Sequence, residues 1–204
     1  MTPTKTRPRR HNSPSAPQRE AGFENPQYRL SAEEAADKNI SASPQKRLES
    51  AAHELAHHMY AEYLDLKPTG IIVGYREGAD DSASGETDLV SSLSGKTDAA
   101  TTMNYMRAVL ANGFGEESVL GTQPEAWHNM KDLEIVAKHT KRLGWSPQQT
   151  KTFLKETYTQ ARDFFGDPIN KAQLAHAAKQ VSNKHWAAGK VSPQTLKHYL
   201  KGGQ

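Results

Sequence analysis

His53, Glu54 and His57 stand in the run His-Glu-Leu-Ala-His. Imidazole nitrogens bind zinc and similar metals, and a carboxylate beside them can move protons. On an α-helix, residues four apart are turned by only about 40° around the axis, so both imidazoles leave one face towards one ion. Glu54 lies on a neighbouring part of that surface, within reach of a metal-bound water without being a ligand. Zinc lowers the pKa of such a water to near neutral. Glu54 is then placed to take the proton as the water attacks a carbonyl, and to pass it to the departing amine. The pattern thus predicts hydrolysis of peptide bonds through a zinc-activated water, with His53 and His57 on the metal and Glu54 as general base. The plainer alternative is three solvated polar residues on a helix surface. The position of the run inside a capped amphipathic helix favours the chemistry.

Catalytic zinc needs a third protein ligand and one open position. Glu116, Glu117, Asp132, His128, Asp88 and several later histidines offer donors, and residue chemistry alone does not choose among them. Glutamate on a second helix is common in one large class of zinc peptidases, which favours Glu116 or Glu117 on general grounds. His58 is turned about 100° from His57 and should face elsewhere. A supporting or surface role suits it, paired with Glu54 or Glu62. Trp127 and His128 either line the cleft or enter a helix. The later His139, His176, His185 and His198 show no ligand spacing and are expected at exposed helix positions. No Gly-x-Ser-x-Gly elbow for a serine hydrolase occurs.

The element that must position the histidines is the run from Gln45 to Leu66. Leu48, Ala52, Leu55, Met59 and Tyr63 recur there three or four apart, as one apolar stripe that ends at Lys67-Pro68. Ser43-Pro44 marks its start, a capping hydroxyl before a proline at the first helical position. The same punctuation recurs at Ser146-Pro147, Asp167-Pro168 and Ser192-Pro193. Ser31 with Glu34 suggests a capping box for a short helix over 32–39. Helices are predicted over 98–112, 129–143, 147–164, 168–187 and 193–200, with Phe153, Leu154, Tyr158, Phe164 and Phe165 in the core. Gly70 to Tyr75 reads as a strand, 77–86 as a loop and Thr87 to Leu93 as a returning strand. That first strand is either an edge on which a peptide adds or part of a small sheet packed on the zinc helix. The fold class expected is mainly α, with a small β element near residues 70–93.

The chain has 204 residues, with 26 Lys and Arg against 23 Asp and Glu, for a formal charge of +3. Lys5, Arg7, Arg9, Arg10 and Arg19 supply much of the excess, in a stretch that also holds Pro3, Pro8, Pro14, Pro17 and Pro26. Residues 1–28 therefore read as a disordered, basic, Pro-rich tail, and 29–204 as one domain. The basic balance describes that tail and gives no strong nucleic-acid signal. Cysteine is absent, so a metal must be held by His, Asp or Glu. No run approaches the 18 or more apolar residues of a membrane span, and no secretory leader is visible, so a cytoplasmic location is expected.

Four features follow one another in a telling order. Ala51-Ala52-His53-Glu54-Leu55-Ala56-His57 comes first, then Gly70 to Gly78 (GIIVGYREG), then Leu110 to Gly121 (LANGFGEESVLG), then Asn129-Met130-Lys131-Asp132-Leu133. In this order the chain resembles the peptidase domain of the FtsH-type ATP-dependent zinc metalloproteases over roughly residues 45 to 200. The third segment aligns with that family's L-G-G-R-A-A-E-E-L-x-F-G at its leucine, both glutamates and final glycine. The resemblance implies Asp132 as the third zinc ligand, with Glu117 as the alternative. Departures are Ala56, where the family has glycine, and Asn112, Phe114 and Gly115 in place of its small and basic residues. No G-x-x-x-x-G-K-[ST] loop occurs. The expectation is a stand-alone peptidase domain without its own ATPase, acting on a flexible or unfolded polypeptide, with a separate unfoldase or a specific protein target as further partner. The rival expectation is a non-catalytic zinc-binding or regulatory module built on the peptidase fold.

Overall fold

Short polar side chains open five of the helices. Ser43, Asp98, Ser146 and Ser192 each accept the backbone N–H three residues on, and Asp167 accepts those of Ile169 and Asn170. Proline follows directly at four of these five starts, where its missing N–H costs nothing. The computed structural model describes residues 29–30, 32–37, 41–76, 83–87, 89, 98–122, 130–186 and 189–202. In chain order these form β1 (Arg29–Leu30), α1 (Ala32–Asp37), α2 (Pro44–Tyr63), β2 (Ile71–Arg76), β3 (Ala83–Thr87), α3 (Ala99–Val109), α4 (Asn112–Leu120), α5 (Met130–Arg142), α6 (Pro147–Gly166), α7 (Pro168–Lys184), β4 (Gly189–Val191) and α8 (Pro193–Lys201). The chain is mainly helical, with one small antiparallel sheet. Residues 1–28, Ser31, Asp88, Trp127 and His128 lie outside the described residues.

The core is built around α2. Every residue from Ala51 to Ala61 except His53 is buried, so α2 is enclosed by α4, α7 and the sheet rather than lying on them by one stripe. Ala51, Ala52, Ala56 and Ala61 make this possible, because methyl groups let neighbours approach on several faces. Alanine marks no face by itself, so the predicted stripe was too narrow. Tyr63, its last member, is 64% exposed. The helix also stops earlier than Lys67-Pro68. Asp65 takes a left-handed φ of 57°, and the Leu66 N–H returns to the Ala61 carbonyl at 2.9 Å, a Schellman-type stop with Leu66 buried behind it. A second cluster, with Leu89, Tyr105, Met106, Val109, Val136 and Phe153, joins α3, α5 and α6.

β2 is the centre of the sheet. β3 pairs along one side from Ile71↔Thr87 to Tyr75↔Ala83, while β4 (Ile71↔Val191) and β1 (Leu30↔Tyr75) share the other. β2 is therefore no open edge for an added peptide. Of the returning strand predicted over 87–93 only Thr87 and Leu89 lie within the described residues, and Thr87 ends a strand over Ala83–Thr87. Its Gly- and Ser-rich sequence reads as loop, but β2 supplies a ladder of backbone partners whatever the side chains. β1 and β4 are too short to show a period of two.

The helix predicted over 98–112 is α3, which ends at Val109; after a break at Leu110 and Ala111 a further helix, α4, runs over Asn112–Leu120, where none was predicted. Gly113 and Gly115 disfavour helix locally, but packing on α2 requires one of them. A Cβ on Gly115 would lie 2.2 Å from the Ala56 Cβ and 3.2 Å from Leu174 Cδ2. Helix α7 ends three residues before the predicted 187, at the turn into β4. His139, His176 and His185 are half-buried rather than exposed, and His185 shares a 2.8 Å hydrogen bond with the Tyr199 hydroxyl. No helix among the described residues is long and apolar enough to cross a membrane.

Two outcomes are expected. Gly115→Ala should lower stability by about 1–3 kcal/mol through overpacking, and adding Ala56→Gly should recover part of that loss, as measured by urea denaturation. Stability should also depend on His58, which is fully buried without a hydrogen bond. Burial lowers its pKa from 6.5 to about 4. The unfolded chain thus binds a proton between these values that the folded chain refuses, so stability falls as pH drops from 6.5 to 4 and no further below. The full loss is roughly 3 kcal/mol, and His58→Phe should remove most of that slope.

Candidate metal centre

Helix α2 presents His53 and His57 on one face, one turn apart, as the four-residue spacing requires. α5 brings Asp132 to them. The ligand atoms of His53, His57 and Asp132 all lie within 4.8 Å of one another, and this group could hold a metal ion. The two Nε2 atoms are 3.3 Å apart, and Asp132 Oδ2 is 3.8 Å from that of His53 and 3.9 Å from that of His57. A triangle with these sides has a point about 2.1 Å from all three corners, within the usual zinc–nitrogen and zinc–oxygen lengths.

The outer nitrogens of both rings are occupied, which turns the Nε2 atoms inward. His57 Nδ1 donates to the Ala108 carbonyl on α3 at 2.9 Å. His53 Nδ1 is bound to Glu116 Oε1 on α4. Such partners fix the ring orientation and raise the basicity of a ligating histidine. Burial works against the imidazolium of His53. The Glu116 hydrogen bond and the charges of Glu54, Glu116 and Asp132 outweigh that, raising its pKa to about 9. An ion arriving at Nε2 therefore displaces a proton.

Glu116, a candidate third ligand by residue chemistry, thus sits behind His53, on the nitrogen facing away from Asp132. Glu117 is half-buried and outside the group. Glu54 is 6% exposed, and its Oε2 accepts the Thr87 hydroxyl at 2.7 Å. The same hydroxyl lies 2.8 Å from the Glu54 backbone carbonyl. Pairing with Ile71 holds Thr87 at the end of β3. His58 approaches Glu62 at 3.7 Å and is buried, not on the surface.

Asn112, at the start of α4, completes the described surroundings. Its Nδ2 donates to Asp132 Oδ2 at 2.5 Å and lies 3.1 Å from His53 Nε2, while its Oδ1 accepts the Gly113 N–H at 2.7 Å. Sequence reasoning missed the roles of Thr87, Ala108, Glu116 and Asn112. A backbone carbonyl such as that of Ala108 leaves no mark in a sequence. Asn112 did leave one, as a departure from the pattern the chain otherwise resembles.

No family model matches the chain, and no curated protein matches it by sequence. The functional reading rests on the site itself.

The purified protein should carry about one zinc per chain by elemental analysis. His57→Ala and Asp132→Ala should lose it, and Glu117→Ala should keep it. Glu116→Ala should weaken binding about 10- to 100-fold, as loss of a ligand's hydrogen-bond partner does elsewhere.

Proposed function

We propose that the protein is a zinc-dependent endopeptidase in which His53, His57 and Asp132 hold the metal and Glu54 is the general base. The observation that carries this reading is the convergence of two imidazole nitrogens and one carboxylate oxygen beside a second, buried carboxylate that is not part of the group. Two nitrogens and one oxygen are the donor set of many hydrolytic zinc sites, and they leave a position open. Bound zinc would supply Lewis acidity at the substrate carbonyl and lower the pKa of the attacking water.

The chain's own residues account for the rest. Glu54 takes a proton from the attacking water and returns it to the departing amine nitrogen. Thr87 keeps the Glu54 carboxylate from turning out of the site. Glu116 and the Ala108 carbonyl keep the two imidazoles aimed inward. The substrate class we assign is a polypeptide in a flexible or unfolded segment. A separate unfoldase or one specific target protein would deliver it.

Kinship with the FtsH-type peptidase domain belongs to the same proposal. Two of the departures from that family's pattern support it, because they face each other. Ala56 carries a methyl where the family has none, and Gly115 lacks one where the aligned family residue is alanine. The contact between α2 and α4 thus keeps its volume with the methyl moved across it.

Glu54→Gln should keep its zinc and lose at least about a hundredfold in cleavage of an unfolded polypeptide, because the ligands are untouched and the base is gone. Undiminished cleavage by that variant would remove Glu54 from this role. Zinc bound by a wild-type chain that cleaves no unfolded polypeptide would leave the non-catalytic module. Thr87→Val should lower kcat about tenfold with zinc content unchanged, the scale of one hydrogen bond to a charged group.

A further inference from the structure

Asp132 is carried by the least supported part of its helix. The buried residues of α5 are Val136 and Thr140, one and two turns further on, where the helix packs on α3. In the first turn Met130 is 57% exposed and Leu133 38% exposed, and Lys131 and Glu134 face solvent. Among the described residues of α5, none in this turn fixes where the Asp132 carboxylate points. Among the described residues it takes one hydrogen bond, from Asn112 Nδ2.

Asn112 is built to give that bond. It is 2% exposed, and the Gly113 N–H on its Oδ1 settles which end of the planar amide faces Asp132. Its own helix is fixed in turn, because Gly115 lets α4 lie directly against Ala56 of α2. The chain of contacts therefore runs from the ligand-bearing helix to α4, through one carboxamide, to a carboxylate on an otherwise weakly held turn. A carboxylate oxygen has lone pairs enough to accept this hydrogen bond and still bind an ion.

We propose that Asn112 is the positioning residue that brings Asp132 into the metal centre. The inference rests on the metal-binding reading of the His53, His57 and Asp132 group. It adds that the third ligand is set by α4 rather than by the packing of α5.

The test is a double-mutant cycle on the full chain, with zinc affinity measured by competition against a chromophoric chelator. Asn112→Ala should bind zinc about 10- to 100-fold more weakly than wild type. Asn112→Ser, which keeps a small polar residue at the helix start but cannot reach Asp132, should do the same and guards against misfolding of the alanine variant. In an Asp132→Ala background, Asn112→Ala should cost nothing further. The ligand-field absorption of the cobalt-loaded Asn112→Ser protein should move towards that of Asp132→Ala, a signature that loss of fold stability alone would not produce. In metal-free protein, amide hydrogens of residues 134–136, which bond back into the first turn of α5, should exchange faster in Asn112→Ser.

Wild-type affinity in both Asn112 variants would overturn the proposal, as would an equal loss with and without Asp132. Tighter binding would also overturn it, by showing that the amide competes with the ion. Failure of the wild type to take up zinc is a different result. It removes the metal reading and this proposal with it, whatever the exchange data show.

Discussion

Where Ala56 meets Gly115, no side chain larger than one methyl separates α2 from α4, and the geometry of the centre follows from that closeness. The residue after Gly115 is Glu116, which reaches the outer nitrogen of His53. The residue three before it is Asn112, which reaches Asp132 and the inner nitrogen of the same ring. A helix displaced by the radius of one further methyl would carry both side chains out of hydrogen-bonding range, because such bonds weaken steeply beyond about 3.2 Å. Small residues are commonly credited with filling little space. Here they set the distance between two helices whose polar side chains must meet.

That arrangement puts an unusual load on the interior. Glu54, His57, His58, Asn112 and Glu116 are all buried, three of them on α2 and the other two on α4 where it packs against α2. Buried polar groups are tolerable when each finds a partner. Glu54 has Thr87, His57 has the Ala108 carbonyl, Glu116 has His53 and Asn112 has Asp132 with Gly113. His58 is the exception, neutral and unbonded, on the side of α2 turned from the centre. Of these five, the partnered groups are those around the proposed ion.

Much of the helical framework was legible in the sequence because its signals are local. A hydroxyl or carboxylate before proline marks a helix start without reference to anything distant, and the run from His53 to His57 needs only helical geometry to put both rings on one face. Asp132 was of another kind. Residue chemistry left it among several donors, and it stood out only through the order of segments in the resemblance. What escaped altogether depends on contacts between distant residues. α4, after the break at Leu110 and Ala111, depends on Gly115 lying against Ala56 of α2. β1 and β4 are two and three residues long and exist as strands only because β2 offers them partners. Thr87 and Asn112 look like ordinary polar residues until β3 and α4 are in place. The enclosure of α2 was hidden for the opposite reason, since alanines announce no direction.

The sheet also carries information about timing. β2 has its first partner, β3, within about fifteen residues, but Val191 of β4, which pairs with Ile71, follows 120 residues later in the chain. Contacts between such distant segments form late, since the intervening chain must first be brought together at an entropic cost. A nascent or refolding chain can therefore join β2 to β3, and so bring Thr87 to Glu54, while the other flank of β2 stays open near Ile71. The side of the sheet that touches the proposed catalytic carboxylate matures early. On the other side, the part of β2 from Ile71 to Val73 waits for residues that come after α7.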